Sequence, residues 1–209
     1  MKRMLLFVAV LFILIIAASS FKQQTTNNKL PTVYTDTIRY SGEKHFANVQ
    51  QLTFGGDNAE AYFSFDGKWI IFQKTYLKEG IPCDQMYIGK VPAPGEKFEP
   101  KLISTGKGRT TCGAFLKDGK HVVYASTHLG ADTCPPVPDR KKYGNKYIWP
   151  LYDSYDIFMA DLNGKIVKQL TTSKGYDAEA TISPDGKKML YTSTKGGDID
   201  LYIMDLKTG

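Results

Sequence analysis

The sequence predicts an all-β chain of repeated four-stranded antiparallel units. Three observations predict it: a threefold internal repeat, an Asp-Gly turn at the same place in every copy, and a composition rich in aromatic and turn residues. Of the 209 residues, 42% are hydrophobic and 23% charged, enough to build an ordinary folded core. The 13 Tyr and 11 Phe, set among 19 Gly and 10 Pro, favour strands parted by tight turns over helices.

The first element in chain order reads as an export signal. Lys2 and Arg3 form a basic head, residues 4–18 are unbroken apolar chain, and residues 17–20 supply small side chains for cleavage. The apolar run is about fifteen residues, shorter than the roughly twenty a spanning helix needs, so cleavage near Ser20 is expected. Membrane attachment would arise only through an uncleaved signal segment. The expected location is outside the cytoplasm, in a periplasm or the extracellular space. Residues 21–46, opening with the polar stretch KQQTTNNKL, read as a tether and lead-in without a fold of their own.

From residue 47 onward the chain repeats itself. The copies begin VQQLTFGGDNAEAYFSFDGKWIIFQ, KLISTGKGRTTCGAFLKDGKHVVYAS and KQLTTSKGYDAEATISPDGKKMLYTS, and each is followed by one more apolar run, QMYIGKV, YDIFMADL and DLYIMDL respectively. Each unit thus has four strand-like runs, and the units span about 47–91, 99–162 and 166–209. Between the second and third runs lies Ser64-Phe65-Asp66-Gly67, Leu116-Lys117-Asp118-Gly119 or Ser183-Pro184-Asp185-Gly186. Asp bonds back to the backbone and Gly accepts positive φ, so these two residues are what a tight hairpin most needs. The second unit carries an insertion, residues 127–155, between its third and fourth runs. A loop of that length on a compact scaffold is either functional or disordered, and Tyr147, Trp149 and Cys134 argue for an ordered flap.

A four-stranded antiparallel unit returning every forty to fifty residues or so is the pattern of a β-propeller blade. In such a blade the second run lies innermost. Alignment of the copies on their turn glycines then brings Asn58-Ala59-Glu60, Thr110-Thr111-Cys112 and Asp177-Ala178-Glu179 to one rim. Asn58, Glu60, Arg109, Thr110, Asp177 and Glu179 would make a polar funnel able to take a divalent cation, a sugar or a peptide terminus, with His128, Tyr147 and Trp149 on the flap above it. The bland alternative has Glu60 and Glu179 capping strand starts.

Other chemistry is thin. His45 and His121 have no metal spacing, and neither Asp153 with Asp156 nor Asp198 with Asp200 has that of a dedicated calcium loop. No Gly-x-Ser-x-Gly elbow occurs, and Gly106-Lys107-Gly108 lacks the rest of a phosphate loop. No catalytic residue, metal ligand set or resident cofactor is therefore expected. Three cysteines in an oxidising compartment suggest one bridge and one leftover thiol. Cys112 with Cys134 is the favoured pair, since their loops should open on one face, and Cys83 with either remains open. The net charge of +6 falls to +4 without Lys2 and Arg3, and no basic block follows, which disfavours nucleic acid as a partner.

The string LTTSKGYDAEATISPDGKKMLYTSTKGGDIDLYIMDLKTG, with its leucine before the turn, its Ser-Pro-Asp-Gly hairpin and its closing Tyr-x-Met-Asp-Leu strand, resembles a repeat of the TolB-like β-propeller family. The likeness extends over about residues 47–209. It implies a propeller, with these three blades forming part of a longer, six-bladed ring. It also implies a non-catalytic binding module of the cell envelope, presenting a propeller face to a protein or peptide. A glycan, stacking on the flap aromatics, is another ligand in keeping with the residues. The same repeat occurs in the propeller portions of secreted hydrolases, peptidases and lyases, and an enzyme with a polar funnel site is the alternative expectation.

Overall fold

The computed structural model describes residues 40–46 and 49–209. The expected signal and most of the tether lie outside the described residues. The described residues form eleven strands: β1 (Asp57–Phe63), β2 (Trp69–Tyr76), β3 (Ile81–Lys90), β4 (Lys101–Leu102), β5 (Thr110–Phe115), β6 (His121–Ser126), β7 (Asp156–Asp161), β8 (Ile166–Gln169), β9 (Asp177–Ile182), β10 (Lys188–Ser193) and β11 (Asp200–Asp205). The helical elements described are two short 3₁₀ turns, Leu77–Glu79 and Arg140–Tyr143. Among the described residues no helix is long and apolar enough to cross a membrane.

The strands form three antiparallel sheets with orders β1-β2-β3-β4, β5-β6-β7-β8 and β9-β10-β11. This division departs from the sequence repeat by one strand. The run KLIS, which opens the second repeat, contributes β4 to the first sheet, and the run before Leu170 contributes β8 to the second. Residues 49–54, which open the first repeat, are not in a strand. Local pattern places the strands; which edge each one joins depends on pairing across the chain.

The Asp-Gly hairpins close as their chemistry requires. Lys68 N and Lys187 N donate to Asp66 Oδ1 and Asp185 Oδ1 at 3.1 and 3.0 Å, while Ser64 Oγ and Ser183 Oγ donate to the same oxygens at 2.6 Å. These donors hold both carboxyls below the usual carboxylate range. The second copy lacks the serine, and there Asp118 Oδ1 accepts from both Lys120 N and His121 N, with His121 Nδ1 2.6 Å from Oδ2. His121, the first residue of β6, is thus tied to the turn. Gly67, Gly119 and Gly186 take φ of 69°, 66° and 78°, the region only glycine enters without strain.

The sheets stack face to face, and strand alternation supplies both interfaces. On β6, Val122 and Tyr124 face the first sheet with Ile71, Met86, Ile88 and Phe115. Val123 and Ala125 face the third with Ile157, Ala178, Met189 and Tyr191. Gly113 in β5 lies directly on the first sheet: an added Cβ would come within 2.6 Å of both Ile71 Cδ1 and Met86 Cε.

Candidate functional site

Three residues at the same point of the three inner strands share one unusual conformation. Glu60, Cys112 and Glu179 have φ of 49°, 46° and 58°. Each stands where the pairing to the next strand slips, between Ala59 and Tyr62, between Thr111 and Ala114, and beside Ala178. A bulge therefore recurs in every copy, and it re-aims the side chain of its left-handed residue. The repeat alignment finds the equivalence of these positions; their conformation is visible only in the structure.

Cys112 and Glu179 border an open cavity of about 300 Å³ between the inner strands, lined also by Tyr62, Phe63 and Phe65, and Glu60 adjoins it through its bond to Tyr62. Tyr62 Oη donates to Glu60 Oε2 at 2.5 Å. Cys112 Sγ donates to Glu179 Oε2, and Tyr176 Oη to Glu179 Oε1, both at 2.9 Å. The bond to Glu60, burial and the nearby acidic groups push the Tyr62 hydroxyl up to about 12. Burial first, and then the bond to Glu179, push the Cys112 thiol well above its ordinary value. Tyr176 is raised by burial and by Glu179. The site therefore presents Glu60 and Glu179 hydrogen-bonded by Tyr62, Cys112 and Tyr176 against an aromatic wall. A thiol so protected is a poor nucleophile. We expect Cys112 in the folded protein to react with an uncharged maleimide at least about a hundredfold more slowly than in the unfolded chain; stopped-flow alkylation at neutral pH checks this, and equal rates would refute it.

The other residues of the expected funnel are placed differently. Thr110 is fully buried and its Oγ1 donates to Asp84 O at 3.0 Å. Arg109 pairs with Asp84 through Nη1 at 2.9 Å, and Asp84 also accepts from Thr75 Oγ1 at 2.7 Å. Asn58 donates to Gly55 O at 3.1 Å. Asp177 is fully buried, with Oδ2 accepting from Ser173 Oγ at 2.5 Å. Strand starts lie in the seams between sheets, so Thr110 and Asp177 do not reach the cavity. Tyr62, Tyr176 and Asp84 were missed by sequence reasoning. Tyr62 had a signal, since residues two apart on a strand share a face with Glu60 between the same turns.

The second seam holds an unusual pair. Asp156 and Asp177 each leave one buried carboxylate oxygen without a partner. Burial, and then the charge of Asp177, raise the Asp156 carboxyl above the usual range. In the first seam Gln85 fills the corresponding place, donating to Gly108 O at 2.8 Å and accepting from Ser104 Oγ at 2.8 Å. A carboxyl raised by folding favours the protonated form, so its stabilising contribution is complete below the unfolded value and is lost as pH rises through the folded one. Asp156→Asn should therefore match wild type in thermal unfolding near pH 3 and melt higher than wild type near pH 8. A variant that melts lower at both would refute this.

The flap is pinned differently from the favoured expectation. The bridge joins Cys83 to Cys134, with Cα atoms 6.0 Å apart, and Cys112 is free and buried. The physical reason is the bulge, which turns Cys112 towards Glu179. Meanwhile Gly108 N bonds Asp132 O at 2.9 Å and lies beside Cys83, whose Sγ is 3.1 Å from Gly108 O, so the flap starts next to β3. His128 is half-buried, with its ring 4.5 Å from that of Phe158 and Nδ1 3.0 Å from Ser126 Oγ. Burial and Lys107 lower its pKa. Tyr147 and Trp149 are exposed and neighbour each other, ring centroids 6.3 Å apart, and Trp149 borders a small cavity of about 60 Å³ with Arg109, Thr111, Tyr155 and Tyr176. Among the described residues no group of three His, Cys, Asp or Glu could hold a metal ion.

Three stacked antiparallel sheets with a cavity between their inner strands are blades of the β-propeller class, and that cavity opens the central channel of such a fold. A segment of 54 residues, 26% of the chain, is 37% identical to the protein TolB homologs of Chlorobium luteolum and of Chlorobaculum tepidum, covering 12% of each. The crystal structure of TolB from Acinetobacter baumannii matches 74% of the chain at 21% identity with a TM-score of 0.51, and the match covers 31% of that protein. No family model matches. In repeat and fold the chain is similar to TolB-like β-propeller proteins. The matched parts span well under half of these relatives.

Proposed function

We propose that the chain is an exported, non-catalytic binding module of the cell envelope, which engages a protein or peptide through the channel rim formed by Glu60, Cys112 and Glu179. The observation that carries this reading is the shared left-handed conformation of the three. Such a backbone costs a side-chain-bearing residue about 1 kcal/mol or more, and glycine would avoid it. Retaining two carboxylates and a thiol there, in all three copies, is in keeping with side chains needed in the channel. The Cys83–Cys134 bridge fits an oxidising compartment, periplasmic or extracellular. The buried Cys112 thiol, held by Glu179, weighs against this cysteine serving as a nucleophile.

A photo-crosslinking residue in place of Tyr62 tests this in intact cells. One discrete protein adduct is expected, with its yield reduced at least about fivefold by Glu60→Gly with Glu179→Gln. Absence of any adduct, or an adduct indifferent to both substitutions, would overturn the reading.

A further inference from the structure

The flap carries a second surface with chemistry opposite to that of the channel. Residues 140–149, RKKYGNKYIW, hold four cations and no carboxylate. Among the described residues no carboxylate stands within ion-pair distance of Arg140, Lys141, Lys142 or Lys146. Tyr143, Tyr147 and Trp149 stand out from the same run at 52%, 68% and 55% exposure. Large aromatics on a loose loop would need no comment, but this loop is fastened. Cys134 is bridged to β3, Lys107 Nζ meets Asp132 Oδ2 at 2.9 Å, Tyr152 Oη donates to Pro136 O at 2.7 Å, and Asp139 caps the turn Arg140–Tyr143 through Lys141 N.

The exposed planes form a row. The Arg140 guanidinium lies 5.2 Å from the Tyr147 ring centroid, and Tyr147 adjoins Trp149. Trp149 in turn stands at the lip of the small cavity that contains Arg109 and Tyr176. Aromatic residues and Arg are the side chains that anchor protein partners, because they bring large area at small entropic cost. Unpaired cations beside them select against a basic partner and steer an acidic one.

We propose that the flap row, Arg140, Lys141, Lys142, Lys146, Tyr147 and Trp149, docks an acidic segment of a partner protein, with an apolar side chain of that segment set against Trp149. This inference rests on the reading of the chain as a protein-binding module and names the chemistry of what the module takes on its flap. The occupant is a peptide segment because the surface is a narrow row ending at a cavity, shaped for one side chain after another.

The test uses the exported protein and a synthetic peptide of about a dozen residues alternating Glu with Leu, read by the fluorescence of Trp149, whose exposed indole should shift to the blue on docking. A Lys/Leu peptide of the same length, phosphatidylglycerol vesicles and polygalacturonate serve as the other arms. The expected result is binding of the Glu/Leu peptide alone, weakened by added salt. The variant Lys141→Glu, Lys142→Glu, Lys146→Glu should weaken it at least about tenfold. Trp149→Phe should abolish the blue shift. All four positions are exposed, and an unchanged melting temperature confirms that each variant folds. Equal binding by the charge-reversed variant, binding of the vesicles or polygalacturonate in place of the peptide, or no binding by wild type would each overturn the proposal. Crosslinking at position 62 separates the two levels. Adduct formation unchanged in the charge-reversed variant, alongside failed peptide binding, rejects the flap alone; peptide binding without any adduct rejects the channel reading.

Discussion

Cys83→Ser with Cys134→Ser should lower stability by about 4 kcal/mol, because the bridge closes a loop of 51 residues and its removal restores that much chain entropy to the unfolded state. For a chain of this size such a loss moves the unfolding midpoint down by roughly 10 °C. The flap gives the effect a local reading as well. With no strand among residues 127–155, its order depends on the bridge, the Lys107–Asp132 pair and the hydrogen bond from Tyr152. Thermal unfolding under oxidising and reducing conditions checks the prediction: wild type with reductant should match the double variant, and the double variant should be indifferent to reductant. A midpoint that stays within a degree or two of wild type would contradict it, as would a linked peptide containing Cys112 in non-reducing peptide mapping.

The second large effect is expected at the seam between the first two sheets. Ile71 is fully buried there, and its Cδ1 occupies the space that a side chain on Gly113 would need. Ile71→Ala should cost roughly 3 kcal/mol, the lost transfer energy plus the cavity left behind. Gly113→Ala alone forces Ile71 and Met86 aside and should be neutral or mildly destabilising. Combined, the two changes should recover at least about 1 kcal/mol relative to their sum, because the new methyl enters the vacated space. Denaturant unfolding of the four proteins measures this coupling. Simple additivity would mean that β5 does not lie against Ile71 as described.

Much of this architecture is legible in the sequence because the forces that write it are local. Strand alternation and the Asp-Gly turn act within a few residues, so Asp66, Asp118 and Asp185 could be recognised with their hairpins. Repetition then carries the reading further, and it makes Glu60, Cys112 and Glu179 equivalent by their place in the repeat alone. What the sequence hides depends on distant pairing. The join of KLIS to the first sheet is a choice between two edges of similar composition. The disulfide partner of Cys134 depends on a bulge that turns Cys112 aside and on a flap that docks at Gly108. Thr110 and Asp177 look like rim residues because they are polar and begin inner strands, yet they satisfy seams. Tyr62 and Tyr176 escape notice because an aromatic in a strand ordinarily reads as core, and their hydroxyls matter only once the carboxylates beside them are seen.

If the channel rim is an occupied binding surface in the envelope, as proposed, its carboxyl groups are shielded there. Carbodiimide footprinting of carboxyl groups, compared between the protein in intact cells and the purified protein, tests it most directly. Glu60 is exposed and Glu179 half-buried, whereas Glu96 and Glu99 are exposed away from the channel and serve as internal controls. Glu60 and Glu179 should be labelled at least about fivefold less in cells than in isolation, while Glu96 and Glu99 are labelled alike in both. Equal labelling of Glu60 and Glu179 in the two settings would contradict it.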